Sequence, residues 1–106
     1  DKKGTLVVGV DSDWYGLPTH AAYKANILTS IEKKMAKAVL DVIKSGVDKT
    51  FTGGDVNQYV GNLSNGGVMI AAQHDVAYPA GIQAELDALQ ADIISGKIVV
   101  SSPYKK

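Results

Sequence analysis

The chain of 106 residues contains no cysteine and no arginine, and each absence excludes a class of site. Without cysteine there is no disulfide, no thiolate nucleophile and no zinc–thiolate centre. Without arginine the planar fork that usually recognises phosphate or guanine is missing. The 11 basic residues, all of them lysine, balance 11 acidic ones to a formal net charge of +0. We therefore expect no binding of nucleic acid and no electrostatic attraction to an anionic membrane.

Long hydrophobic runs are also missing. No stretch approaches the roughly 20 apolar residues that a membrane-spanning helix needs. The first residues, Asp1 to Lys3, do not open a signal segment. With 45% hydrophobic residues the chain can form one core, and its length leaves no room for a second independent domain.

The most informative segment runs from Leu6 to Asp13, where an unbroken, largely β-branched apolar run ends on two carboxylates. Such a run is typical of a strand that is buried on both faces of a parallel sheet. Asp11 and Asp13 would then lie at the carboxyl end of the strand, where open α/β sheets bind ligands. Trp14 follows directly. Because carboxylates beside aromatic rings suit a polyol that carries a planar ring, Asp11, Asp13 and Trp14 are candidate ligand-binding residues.

The two acids also allow other interpretations. Asp13 can cap the following turn through hydrogen bonds to backbone amides. An Asp-x-Asp pair at a strand end also opens the motif of haloacid-dehalogenase-type phosphatases, which would make the chain a Mg²⁺-dependent enzyme. Those enzymes usually place Thr or Val two residues after the pair, where this chain has Tyr15. The phosphatase is therefore the alternative, and a non-enzymatic binding protein is the prediction.

The middle of the chain predicts one extended segment and one long helix. Residues 22–28 are predicted to form a short strand or an extended crossing segment. Thr29 and Glu32 stand at capping-box spacing, so the pattern predicts a helix that starts there and ends on a left-handed cap at Gly46. Lys33 would then lie in the first helical turn, where the helix dipole disfavours a cation. It is either solvated or donates hydrogen bonds to a bound ligand.

The last part predicts a β-hairpin, a second helix and a final strand. Residues 56–63 alternate in part, residues 64–67 form a strong turn signal, and residues 68–72 are apolar. The segment Pro79–Gly96 carries an apolar stripe between a helix-opening proline and a closing glycine. Residues 98–100 predict a short last strand.

The two histidines do not suggest a metal site or a catalytic triad. His20 and His74 lie more than fifty positions apart, and neither has a partner four residues away. No serine occupies a nucleophile-elbow pattern. We therefore expect neither a metal nor a cofactor.

Four short segments follow one another in a recognisable order: VGVDSD at 8–13, ILTS at 27–30 with Lys33 three positions further, Leu63 followed by GGV at 66–68, and IISGKI at 93–98. Together they resemble the basic membrane protein family of bacterial solute-binding lipoproteins, the nucleoside-binding members of the periplasmic-binding-protein type I fold. The segments extend over nearly all of the chain, and their combination is specific although each alone is weak.

The resemblance implies an α/β segment that corresponds to the C-terminal third of a two-lobed, Rossmann-like receptor, with a hinge crossing near residues 27–30. It implies a purine nucleoside held between the lobes and delivered to an ABC-type permease. Asp11 matches the acid that accepts the ribose hydroxyls, and Lys33 matches a ligand-contacting lysine. Asp13 matches a recurrent acid, whereas Trp14 replaces a usual glutamine.

The resemblance also implies where the rest of the site lies. The aromatic residues that sandwich the base, a second ribose-binding acid and the lipid-bearing cysteine all lie upstream in the family. We therefore expect an extracytoplasmic protein, anchored to the membrane through an upstream lipoprotein segment. Asp11 and Lys33 should stand on different lobes, and exposed strand edges should pair with the missing N-terminal segment or with another copy. A third possibility is a ligand-free regulatory or interaction domain of the same fold.

Overall fold

Three strands form one mixed sheet in the computed structural model, which describes residues 4–54 and 58–101. The strands β1 and β2 are parallel, and β3 pairs antiparallel with the other edge of β2, so that the order is β1-β2-β3. The predicted α/β class is confirmed. The elements in chain order are β1 (Val7–Asp11), two 3₁₀ segments (Trp14–Gly16 and Pro18–Asn26), β2 (Ile27–Lys33), α1 (Met35–Val47), β3 (Val68–Ile70) and α2 (Ile82–Ile94).

The connection from β1 to β2 covers one face of the sheet, and a glycine makes this close approach possible. A Cβ atom built on Gly9 would lie 2.6 Å from Cγ of Trp14 and would also clash with Oγ of Ser30. The Trp14 backbone N–H donates to Oγ of the fully buried Ser30 at 3.0 Å, and its indole N–H donates to the Val10 carbonyl at 3.0 Å. These bonds hold the segment after Asp11 against the strands.

The helix start predicted at Thr29 is wrong, because residues 27–33 form the central strand of the sheet. The Thr29 hydroxyl donates to the Ala71 carbonyl at 3.3 Å across the sheet instead of capping a helix. Ile27 is 1% exposed, and Thr29 and Ser30 are also buried, so pairing with two neighbouring strands outweighs the local capping signal. Residues 22–26 form part of the second 3₁₀ segment, so the extended conformation predicted for 22–28 begins at Ile27.

The end of α1 also differs from the prediction. Gly46 remains helical, and Lys49 takes the left-handed conformation with φ 57°. The Asp48 backbone N–H donates to the Lys44 carbonyl at 2.8 Å, so the last carbonyls are satisfied without glycine.

The hairpin predicted for residues 56–72 is wrong as far as the structure describes it. Residues 58–63 form no strand, residues 55–57 lie outside the described residues, and β3 pairs with β2 instead. The predicted turn is confirmed, because Asn62 and Asn65 exchange side-chain-to-backbone hydrogen bonds of 2.9 Å. The second helix is confirmed, but it begins at Ile82 and not at Pro79. Gly96 follows the helix in the left-handed conformation, whereas residues 98–100 form no strand.

The sheet and helices leave unusually large apolar surfaces in contact with solvent. Val8 and Val10 are 48% and 53% exposed, which contradicts the prediction of a strand buried on both faces. The chain exposes 8179 Å², whereas a compact monomer of this mass exposes about 5,700 Å². Its radius of gyration is 16.9 Å, against about 13 Å for a compact domain of this length. The apolar stripe of α1 is exposed as well: Met35, Val39, Leu40, Val42 and Ile43.

Within the described ranges, no helix has the length and hydrophobicity that crossing a lipid bilayer requires.

Candidate functional site

Asp11 and Lys33 meet at the carboxyl ends of the two parallel strands. Asp11 is the last residue of β1 and Lys33 the last of β2, and Nζ of Lys33 lies 2.7 Å from Oδ1 of Asp11. The structure therefore corrects two expectations. Lys33 lies at the end of a strand and not in a helical turn, and its contact with Asp11 forms within this chain rather than through the approach of two lobes.

The neighbouring charges make a separate pair. Nζ of Lys34 lies 2.6 Å from Oε1 of Glu32. Lys34 follows the end of β2, and the two consecutive lysines pair with different carboxylates.

The Asp11–Lys33 pair is accessible to a ligand. The side chains of Lys33 and Asp11 are 61% and 56% exposed. Exposed ion pairs contribute only about 0–1 kcal/mol to stability. A ligand that offers hydroxyl donors to the carboxylate and acceptors to the ammonium can therefore open the pair at little energetic cost.

The backbone of Asp11 adopts an uncommon conformation. Its φ is 74°, in the left-handed region that non-glycine residues rarely occupy. Asp and Asn tolerate this region better than other side chains because their short polar groups bond locally. Strained backbone of this kind clusters at ligand-binding positions, and here it lies at the candidate site, where β1 ends.

Asp13 is engaged by its own protein on both carboxylate oxygens. Oδ1 accepts from the Tyr15 backbone N–H at 3.2 Å, which confirms the capping interpretation, and it lies 3.5 Å from the Ser30 hydroxyl. Oδ2 lies 2.7 Å from Nε2 of His74. Asp13 and Asp11 thus have separate partners, and the described residues contain no group of three or more His, Cys, Asp or Glu side chains that could hold a metal ion.

His74 belongs to this cluster although no sequence pattern connects it to Asp13. Its ring stacks on Tyr15 with centroids 3.9 Å apart and planes inclined by 9°. The Tyr15 hydroxyl donates to Asp75 at 3.0 Å, and this hydrogen bond to a carboxylate raises the pKa of Tyr15 above its ordinary value. The cluster ties the loop after β1 to the segment after β3, and antiparallel pairing of β3 with β2 is what brings the two together.

Trp14 borders a cleft that neither Asp11 nor Lys33 lines. Its ring stacks on His20 with centroids 4.6 Å apart. Together with Tyr23 it borders a cleft of 410 Å³, whose floor includes Val7 and Ile27, the first residues of the two parallel strands. This cleft therefore opens at the amino ends of the strands, opposite to the candidate site.

No protein-family model matches the chain, and no curated protein matches it either. The resemblance to nucleoside-binding receptors therefore stays a prediction from the sequence motifs.

Proposed function

We propose that this chain is part of a solute-binding protein that recognises a nucleoside, with a purine nucleoside as the expected solute. The observation that supports this most directly is the exposed Asp11–Lys33 pair, joined at 2.7 Å at the carboxyl edge of a parallel strand pair. A carboxylate and an ammonium side by side offer acceptors and donors to a vicinal diol. The proposed role is binding and not catalysis, and it requires no cofactor.

Recognition would proceed by exchange of hydrogen bonds. The Asp11 carboxylate accepts from the ribose hydroxyls, while Lys33 turns from Asp11 to donate to a hydroxyl or to an acceptor of the base. A solute without matching groups would separate Asp11 from Lys33 without replacing their hydrogen bonds, and this penalty provides the selectivity. In this proposal Asp13 does not contact the solute. It positions the loop after β1 through its contacts with Ser30 and His74.

The receptor architecture is part of the same proposal. The uncovered face around Val8 and Val10 and the exposed stripe of α1 support a second lobe that packs against this segment. Closure of two lobes on a solute would exclude water from the Asp11–Lys33 pair. From the resemblance we further propose delivery to an ABC-type permease and an extracytoplasmic location, with a lipoprotein anchor upstream.

Thermal unfolding tests the proposal. Adenosine and guanosine at millimolar concentration should raise the melting temperature of the 106-residue chain, since a ligand that binds the folded state stabilises it by mass action. Asp11→Asn should weaken binding by roughly 10- to 100-fold, because a hydrogen bond to a charged group contributes about 1.5–3 kcal/mol.

Asp87→Asn provides the control. It makes the same chemical change on α2, where the carboxylate bonds to Gln83, and it should leave the nucleoside effect intact. Equal melting temperatures with and without nucleoside, for the unaltered chain, would refute nucleoside binding by this segment without its second lobe.

A further inference from the structure

The cleft beside Trp14 has the size of a small-molecule site. Its volume of 410 Å³ falls within the roughly 300–1,000 Å³ of pockets that hold small molecules. The lining is mainly apolar, and Ile27, which is 1% exposed, forms part of the floor. The cleft is therefore a second candidate site, and what it binds does not depend on the proposed function.

The cleft has no charged wall. Among the residues that the structure describes, its lining contains neither an acid nor a lysine, although charged residues make up 21% of the chain. Lys24 directly follows the lining residue Tyr23, but its Nζ lies 4.3 Å from the centre of the Tyr15 ring, which does not border the cleft. A charged ligand would lose water here without gaining a partner. The lining thus favours a neutral ligand.

Trp14 gives the cleft an aromatic wall that the protein's own contacts hold in place. Its indole N–H donates to the Val10 carbonyl at 3.0 Å, and its backbone N–H donates to Oγ of Ser30 at 3.0 Å. The ring also stacks on His20, with centroids 4.6 Å apart and planes inclined by 17°. Because this wall is already ordered, a ligand that packs against it pays little for immobilising it.

Tyr23 adds a second aromatic side chain to the lining, and it is 60% exposed. Two of the seven residues that line the cleft are therefore Trp or Tyr, whereas Phe, Trp and Tyr together make up 7% of the chain. Aromatic pairs attract each other beyond what the burial of their area provides. The lining thus favours a ligand with an aromatic ring over an aliphatic ligand of equal size.

Asn26 supplies a hydrogen-bond acceptor at the border of the cleft. Its side-chain amide donates to the Thr5 carbonyl at 3.0 Å, which joins the segment before β1 to the end of the second 3₁₀ segment. Within the described ranges, no donor bonds to Oδ1 of Asn26. A ring compound with one N–H or O–H group can satisfy this oxygen, whereas a sugar would bring several hydroxyl groups that an apolar lining leaves unpaired.

We propose that the cleft beside Trp14 binds a neutral aromatic molecule of one or two rings that carries a single hydrogen-bond donor. The ring contacts Trp14 and Tyr23, and the donor bonds to Oδ1 of Asn26. The volume, the uncharged lining and the aromatic walls each support this ligand class. Since neither Asp11 nor Lys33 borders the cleft, this site is separate from the proposed nucleoside site.

Chemical shifts of the isotope-labelled 106-residue chain test the proposal, because its single tryptophan gives one indole N–H signal. Indole is the probe, since it is neutral and aromatic and has one N–H donor. It should shift the Trp14 indole signal and the amide signals of Tyr23 and Asn26, and these shifts should saturate. Shifts confined to Asp11 and Lys33, or no saturable shift, would overturn the proposal. A Trp14 signal that follows the concentration of the chain and not that of indole would place a second copy in the cleft and would also overturn it.

Three further probes test the ligand class. 1-Methylindole lacks the donor and should bind roughly 2- to 10-fold more weakly than indole, which is the contribution of one hydrogen bond. Indole-3-acetate should bind about tenfold more weakly or worse, because its carboxylate meets no cation in the lining. Glucose should cause no shift. The proposed ligand class is refuted if indole-3-acetate or glucose binds as tightly as indole, and the role of Asn26 is refuted if 1-methylindole does.

A pair of tyrosine variants locates the site independently. Tyr23→Ala should weaken indole binding roughly tenfold, since it removes one aromatic wall, and the exposure of Tyr23 means that the circular dichroism spectrum should not change. Tyr59→Ala is the matched control, because it makes the same change at a residue that does not line this cleft. The proposal fails if the two variants weaken indole binding equally or if only Tyr59→Ala does.

Discussion

Replacing Gly9 with alanine should destabilise the chain by about 3 kcal/mol or more, because the added methyl group has no space. The new Cβ would stand 2.6 Å from Trp14 Cγ and would clash with the buried Ser30 hydroxyl. Relief of the clash requires that Trp14 move off the sheet, which breaks its backbone bond to Ser30. Urea unfolding, followed by the fluorescence of this tryptophan and by circular dichroism, measures the change.

Gly46→Ala is the matched control for this substitution. Gly46 lies in α1 with no atom within 4 Å of a built Cβ, and its φ is not positive. Alanine there should stabilise the chain by about 0.5–1 kcal/mol, because it reduces the backbone entropy lost on helix formation. If Gly9→Ala unfolds at the same urea concentration as the unaltered chain, the close packing of Trp14 on β1 is refuted.

The isolated chain should self-associate in a concentration-dependent manner. It exposes roughly 2,500 Å² more than a compact monomer of its mass, and a standard interface buries about 800 Å² on each partner. Val8 and Val10 project from the face of β1 opposite to Trp14, because the side chains of a strand alternate. The outer edge of β1 also has no partner strand among the described residues. Sedimentation velocity over a hundredfold range of concentration should show species larger than a monomer.

Charge introduced on this face should reverse the association. The double variant Val8→Lys, Val10→Lys should sediment as a monomer, since burying two lysines without partners is costly. The control Val99→Lys, Val100→Lys makes the same change outside helices and strands at residues that are 82% and 73% exposed, and it should still associate. A monomeric unaltered chain at every concentration would contradict the prediction.

The sequence predicted those elements whose signals are local and repeated. The α2 helix has an apolar stripe and a glycine shortly after its last residue, and both signals lie in or next to the helix. The β-branched run of β1 and the Asn62–Asn65 turn are local in the same sense. The error at Thr29 arose because a capping-box spacing is also local, whereas the choice between strand and helix there depends on pairing with β1 and with residues forty positions away.

The sequence predicted which residues belong to the candidate site. It did not predict which of them contact each other. Asp11 follows from an apolar run that ends on an acid, and Lys33 follows from the family resemblance. Their direct contact depends on the parallel register of β1 with β2, which residue spacing alone does not specify. His74 carried no signal, because its contacts with Asp13 and Tyr15 join segments that are far apart in the chain.

The left-handed backbone of Asp11 has an evolutionary consequence. With φ at 74° the position admits aspartate, asparagine and glycine, and it excludes β-branched residues, which would strain the turn. Asparagine preserves the shape of the turn and removes the negative charge. Under the proposed function, a single substitution can therefore abolish solute binding without unfolding the chain, so descendants that keep the architecture and have lost the solute should carry Asn or Gly at this position.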